Sequence, residues 1–311
     1  MYGTIVASLL YYRKFAQILT DVGFNINPYN PCVTNHMIDG QQMTICYHVD
    51  DCKLIHRKSK FNDRMIKWLR QEYESIFEDG LGNMMVIRGK VQNYLGMTLY
   101  YTVSGQAQIT MINFLDIILI AFNKVETKGG GTKTSAAPEN IFKVREDCEK
   151  LPQNKTVQFH NLVANTLYAT KQSRPDTCTS VEFLTTIIRA LKLDDWDNMV
   201  HIMRYIRGTR TLPLILSANG SVIFKWWVDA SFAVHPNMQG HSCGGLSLGR
   251  RFPIVSSTKK NLNARSSIET ELVGDDDFIL EICWTQYFMR VQGYRVLDKV
   301  LFQDNRSSIL L

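Results

Sequence analysis

The sequence predicts an α+β chain of more than one domain, and three observations lead there. Apolar residues recur at steps of three and four in early, middle and late segments, as amphipathic helices require. Between them lie short strand-like runs rich in Val, Ile, Tyr and Thr, bounded by turn residues. The length of 311 residues exceeds the usual domain mode, while 45% hydrophobic and 21% charged residues are ordinary globular values.

Ile5, Leu9, Tyr12, Phe15, Leu19 and Val22 set out a first helix that begins almost at Met1 and stops at Gly23. Met43 to Val49 and Cys52 to His56 read as strands flanking Asp50-Asp51, a hairpin with two acids at its tip. A helix follows with Ile66, Leu69, Tyr73 and Ile76 on one face, then strand-like runs at Met84 to Arg88 and Tyr94 to Tyr101. Lys128-Gly129-Gly130-Gly131-Thr132-Lys133 reads as a flexible joint. Beyond it, Thr179 and Glu182 form a capping box ahead of Leu184, Ile188 and Leu191. Asp194 or Asp195 caps a helix carrying Trp196, Met199, Met203 and Ile206, closed by Gly208. The last part alternates: strands at Val222 to Asp229, near Leu246, near Val255 and at Val300 to Asp304, with a long helix from about Ser267 to Gln292. Three segments are expected: an α+β unit over 1–105, a helical region over 106–218, and an α/β domain with a mixed sheet over 219–311.

Several function classes are disfavoured. The 7 cysteines are scattered, odd in number and free of any C-x-x-C pair, which argues against a disulfide framework or structural zinc and for a reducing compartment. His235, His241 and Cys243 lack a matching fourth ligand. No run of roughly 18 apolar residues could span a membrane, and Arg13 and Lys14 follow the first apolar run, the wrong order for a secretory signal. A net charge of +6 suits a polyanionic partner but is weak evidence by itself.

Two constellations of acids carry chemistry. Asp50 and Asp51 at a hairpin tip could share a hard divalent ion, although Asp-Asp in a turn is often turn chemistry alone. Asp229 ends one strand, Glu271 lies in the first turns of the long helix, and Asp304 ends another strand, three acids that two-metal phosphodiester cleavage could use if the fold brings them together. Glu269 and Glu271 differ by about 200° around the helix axis, so only one can face such a site. Asp275, one turn further, shares the face of Glu271, and the run Asp275-Asp276-Asp277 is otherwise expected to face solvent. Lys259, Lys260 and Arg265 could contact phosphates, while Arg204, Arg207 and Arg210 read as surface charge. Alternation sends one of Trp226 and Trp227 into the core, and the other is expected to pack under the long helix.

The words around these acids resemble one family, the Ty1/copia-type retrotransposon Pol polyproteins. Tyr47-His48-Val49-Asp50-Asp51 resembles the Tyr-x-Asp-Asp box of their reverse transcriptase, preceded by Tyr2-Gly3-Thr4 and followed by Tyr94-Leu95-Gly96-Met97. Trp227-Val228-Asp229-Ala230-Ser231, Ser256-Ser257-Thr258-Lys259-Lys260, Ser266-Ser267-Ile268-Glu269-Thr270-Glu271-Leu272 and Gln303-Asp304-Asn305 resemble in series their RNase H signature. Matching that signature selects Glu271 over Glu269. His48 departs from the box, standing where a tyrosine is usual.

The resemblance implies a partial reverse-transcriptase palm over 1–105, a thumb- or connection-like region over 106–218, and a C-terminally truncated RNase H-like domain over 219–311. It implies Mg²⁺ (or Mn²⁺) held by Asp229, Glu271 and Asp304, and in the intact polymerase by Asp50 and Asp51. The expected partners are an RNA–DNA hybrid or other nucleic acid and the rest of the polyprotein, with no membrane. The expected location is intracellular, either cytoplasmic in a virus-like particle or nuclear. Polymerisation by this chain alone is not expected, because the first catalytic aspartate of the family lies upstream of the Tyr-Gly helix. Hybrid cleavage is the activity expected to remain, and the alternative is an inactive element remnant that at most binds nucleic acid.

Overall fold

The computed structural model describes residues 5–73, 84–123, 130–132, 135–138, 141–143, 145 and 147–310. It is mixed α and β with several sheets, and it divides into two compact units. Unit one is Met1–Leu95 with Trp284–Arg295, and unit two is Gly96–Cys283 with Val296–Leu311. Among the described residues no helix is long and apolar enough to cross a membrane.

Unit one contains α1 (Ile5–Asp21), β1 (Asn25–Asn27), β2 (Asn30–Ile38), β3 (Gln41–His48), β4 (Asp51–Ile55), α2 (Ser59–Tyr73) and β5 (Val91–Tyr94). The first four strands form an antiparallel sheet in sequence order. Period-2 alternation in β3 buries Met43, Ile45 and Tyr47, and these meet Phe15 and Leu19 of α1 and Met65 and Leu69 of α2. The expected α1 stripe is therefore buried only in part: Phe15 and Leu19 are inside, while Leu9 and Val22 stay exposed. Met84 to Arg88 is irregular rather than a strand. The expected strand from Tyr94 to Tyr101 is broken at Leu95-Gly96, both at positive φ, where the chain turns. Ile76 lies outside the described residues.

Unit two begins with β6 (Met97–Tyr100), β7 (Ala107–Thr110), α3 (Ile112–Asn123), α4 (Gln153–Gln172), α5 (Cys178–Thr186), α6 (Leu193–Thr209) and β8 (Leu214–Ala218). It continues with β9 (Ile223–Ser231), β10 (His241–Ser247), β11 (Gly249–Arg250), β12 (Ile254–Lys259), α7 (Ser267–Val291), β13 (Asp298–Phe302) and α8 (Arg306–Ile309). The last residues of α7 belong to unit one. Strands β6, β7, β8 and β11 are successive antiparallel neighbours. The expected flexible joint is described only at Gly130–Thr132, where the Thr132 N–H donates to Arg204 O at 3.0 Å and ties it to α6. At the start of α6 the N-cap is Lys192 rather than Asp194 or Asp195, and Asp195, three residues on, accepts the Lys192 N–H at 2.8 Å. The Thr179–Glu182 capping box does not form. Glu182 instead accepts the Ser257 N–H of β12 at 2.8 Å and pairs with Lys171, so its carboxylate joins a helix to a sheet.

The second sheet has the order β12-β10-β9-β13, antiparallel except for β13, which runs parallel to β9. Alternation on β9 turns Phe224, Trp226, Val228 and Ala230 toward α7, where Trp226 meets Phe278. Glycines permit this close approach. A Cβ on Gly244 would lie 2.6 Å from the Phe278 ring, and one on Gly274 would lie 3.0 Å from the Ala230 Cβ. Trp227 is on the opposite face, so the expectation that it packs under the long helix is corrected. It stacks on Phe302 at 4.9 Å.

His235 and His241 form a buried chain rather than a metal pair. His235 Nε2 meets His241 Nδ1 at 3.0 Å, and His241 Nε2 meets Ser257 Oγ at 2.7 Å. Burial first, then nearby positive charge, pushes both imidazoles down from 6.5 to about 4. The folded values lie below the unfolded ones, so this stabilisation is complete above pH 6.5 and is lost as pH falls toward 4. The loss should be on the order of 3 kcal/mol for each imidazole. Urea midpoints measured between pH 7 and 4 should fall in that window, and His235→Leu should flatten the slope. An unchanged slope in that variant would contradict the assignment.

Candidate carboxylate site

Asp229, Glu271 and Asp304 converge in unit two. Each offers a carboxylate oxygen, and the three atoms lie within 4.8 Å of one another. The β9–β13 register explains two of them. Trp227 pairs with Phe302 in parallel, so Asp229 and Asp304, each two residues further on, emerge level at the same end. Asp304 lies just past the strand rather than at its end. Glu271 comes from α7 over the covered face and is 7% exposed, whereas the two aspartates are exposed. Glu269 points elsewhere and accepts the Arg265 N–H at 2.6 Å, which leaves Glu271 as the glutamate facing the aspartates.

Three like charges at this spacing repel. Burial, then Asp229 and more weakly Asp304, raises the Glu271 pKa above the ordinary glutamate value, and the Gln303 amide opposes this. Asp275 is likewise raised by burial and lowered by Gln303 and Lys260. The set consists wholly of oxygen donors, and among the described residues no Lys or Arg forms an ion pair with Asp229, Glu271 or Asp304; such hard ligands fit Mg²⁺ or Mn²⁺. Beside it, a cleft of about 480 Å³ is lined by Trp227, Asp229, Cys243, Phe252, Phe302 and Asp304.

Lys260, expected to reach for phosphates, is 2% exposed. Its ammonium lies 3.4 Å from Asp277, which also accepts from Ser242 Oγ at 2.7 Å, so this acid of the run is tied down rather than merely solvated. A lysine is buried this deeply only with a partner, and the acids of α7 supply one. Lys259 is half-buried on β12, and Arg265 is exposed. Of the surface arginines, Arg207 meets Asn123 and Arg210 meets Asp116. Sequence reasoning missed the role of Gln303, although that residue stood inside a quoted motif.

In unit one, Val49 and Asp50 make the turn between β3 and β4, with Val49 at φ +51°, and Asp51 opens β4 opposite His48. Both acids are exposed on the rim of a cleft of about 590 Å³ that Tyr11, Tyr73 and Tyr94 also line. Burial, Asp51 and Asp50 push the Cys52 thiol up to about 12. Among the described residues no third Asp, Glu, His or Cys completes a ligand group there.

Comparison with known proteins bears out the resemblance to Ty/copia-type retrotransposon Pol polyproteins. The chain is 21% identical to the retrovirus-related Pol polyprotein from transposon TNT 1-94 of Nicotiana tabacum, over 99% of its own length and 23% of that protein. It is also 21% identical to a putative transposon Ty5-1 protein of Saccharomyces cerevisiae, over 91% of its own length and 87% of that protein. The chain thus spans about a quarter of the tobacco relative (23%). No protein-family model and no solved structure matches it.

Because the folded Glu271 binds its proton more tightly than the unfolded one, its contribution to stability is greatest below the ordinary value of 4.5 and declines as pH rises through the folded value. Glu271→Gln, permanently neutral, should therefore stabilise the metal-free protein by about 1 kcal/mol at pH 7. The gain should vanish near pH 4. Thermal unfolding at both pH values checks this, and a loss of stability at pH 7 would contradict it.

Proposed function

We propose that this chain is a piece of a retrotransposon Pol polyprotein that carries, over residues 219–311, an RNase H-like domain cleaving the RNA strand of RNA–DNA hybrids. The observation that carries the reading is the convergence of Asp229, Glu271 and Asp304 within 4.8 Å from a strand, a helix and the end of a parallel strand. The sheet order β12-β10-β9-β13, with α7 between β12 and β13 in the chain, supports it. The exposed carboxylates of Asp229 and Asp304 would face a phosphodiester, and buried Glu271 would supply the third ligand. Bound Mg²⁺ or Mn²⁺ would supply the charge that activates a water and offsets the leaving oxygen. Lys259 and Arg265 would meet backbone phosphates, as expected of an enzyme reading a hybrid's shape rather than its sequence. Unit one, with Asp50 and Asp51 but no third ligand among the described residues, is read as part of a reverse-transcriptase palm that does not polymerise by itself. The remaining polyprotein is the expected partner, and the reading puts the chain inside the cell, in a cytoplasmic particle or the nucleus.

The test is cleavage of a labelled RNA–DNA hybrid by the purified chain in Mg²⁺, beside Asp229→Asn. The expected result is metal-dependent cleavage, lowered at least about a hundredfold in the variant. Folded protein that binds the hybrid without cutting it would leave a nucleic-acid-binding remnant in place of the enzyme.

A further inference from the structure

Gln303 lies between the carboxylates and the chain that carries Asp304. Its Nε2 donates to Glu271 Oε2 at 3.2 Å and to Asp275 Oδ1 at 3.2 Å. Its Oε1 accepts the backbone N–H of Asp304 at 2.9 Å and of Asn305 at 3.3 Å. Both amide hydrogens and the carbonyl oxygen are thus used, and the two ends could not be exchanged. A flipped amide would set its oxygen against two carboxylates and its NH₂ against two N–H groups.

Glu271 and Asp275 are one helical turn apart on the same face of α7, a like-charge pair that repels unless something stands between them. The Gln303 NH₂ is that group. Its carbonyl simultaneously fixes the backbone of Asp304, which lies beyond the regular pairing of β13 and has no ladder bond to hold it. Asn305 then turns the chain into α8 by accepting from Ser307 N and Ser308 N.

The geometry points to Gln303 as a positioning residue that couples the Glu271 carboxylate on the helix to Asp304 beyond the strand, presetting the site for a divalent cation. This rests on the proposed metal-dependent function and adds to it a residue that itself carries no ligand charge. A side chain that only filled space would be replaceable by an apolar isostere, whereas a positioning amide would not be.

Mn²⁺ binding to the intact chain, read from the electron paramagnetic resonance of the free ion, distinguishes these cases. Wild type, Gln303→Met and Gln303→Asn are compared, with circular dichroism to establish folding. Met keeps the shape without the amide. Asn keeps the amide but is one methylene too short to span both ends, so it still reports if the Met variant does not fold. Both variants should bind Mn²⁺ about tenfold or more weakly than wild type. In hybrid cleavage the Mg²⁺ concentration for half-maximal rate should rise while the rate at saturating Mg²⁺ changes less. Wild-type affinity in both variants would overturn the role of Gln303 and leave the metal reading intact. Absence of Mn²⁺ binding in wild type would overturn both.

Discussion

Two residues separate the Trp227–Phe302 pair from each of the two aspartates, and the candidate site depends on that register. Side chains alternate along a strand, so a slip of one residue between β9 and β13 would send Asp304 to a different level and turn it to the other face. β13 is an edge strand of this sheet, held to it only through β9, and edge strands are where register is most easily lost. The Trp227–Phe302 stack, nearly parallel at 15°, sits two residues before the acids and resists such a slip. Phe252 closes on the same tryptophan edge-on at 5.3 Å. Aromatic contacts of this kind are worth about 0.5–1.5 kcal/mol each beyond the area they bury. Here the same contacts set where two charges appear.

The opposite face of β9 supplies the third acid by a different means. Trp226, Val228 and Ala230 bury against α7, and Gly244 and Gly274 let the helix come close enough for Glu271 to reach over the strand end. The result is a partly buried anionic cluster, which by itself disfavours folding. The structure answers with neutral and cationic groups: the Gln303 amide between Glu271 and Asp275, and Lys260 against Asp277. Neither offsets the charge of Asp229 and Asp304. A site that withholds this last compensation is less stable empty and more receptive to a cation, the usual trade between stability and function.

Most of the acid pattern was legible in the sequence because each acid sits next to a regular element. Asp229 lies within β9, whose burial alternates, Asp304 lies just past β13, and Glu271 falls on the one face of α7 that its motif and helical spacing select. The hairpin carrying Asp50 was equally legible from its strand–acid–strand pattern. What escaped were long-range choices. Glu182 has the spacing of a capping acid but finds the backbone of Ser257 75 positions away. Lys260 looks like a surface base, yet the glycine at 274 opens room for its ammonium beside α7. Trp226 and Trp227 were separable into inside and outside, but which element meets the outer ring depends on the partner strand, and Phe302 is far off in sequence. Gln303 was not read as a site residue because two of its four partners, Glu271 and Asp275, lie on a helix that reaches it only in the fold.

The claim that this register builds a cation site is tested most directly by a crystal structure of the chain in Mn²⁺, with data collected at the manganese absorption edge. The account predicts anomalous density between Asp229, Glu271 and Asp304, with Trp227 still stacked on Phe302. A folded protein with no manganese at these three carboxylates, or with Asp304 turned away from Asp229, would contradict it.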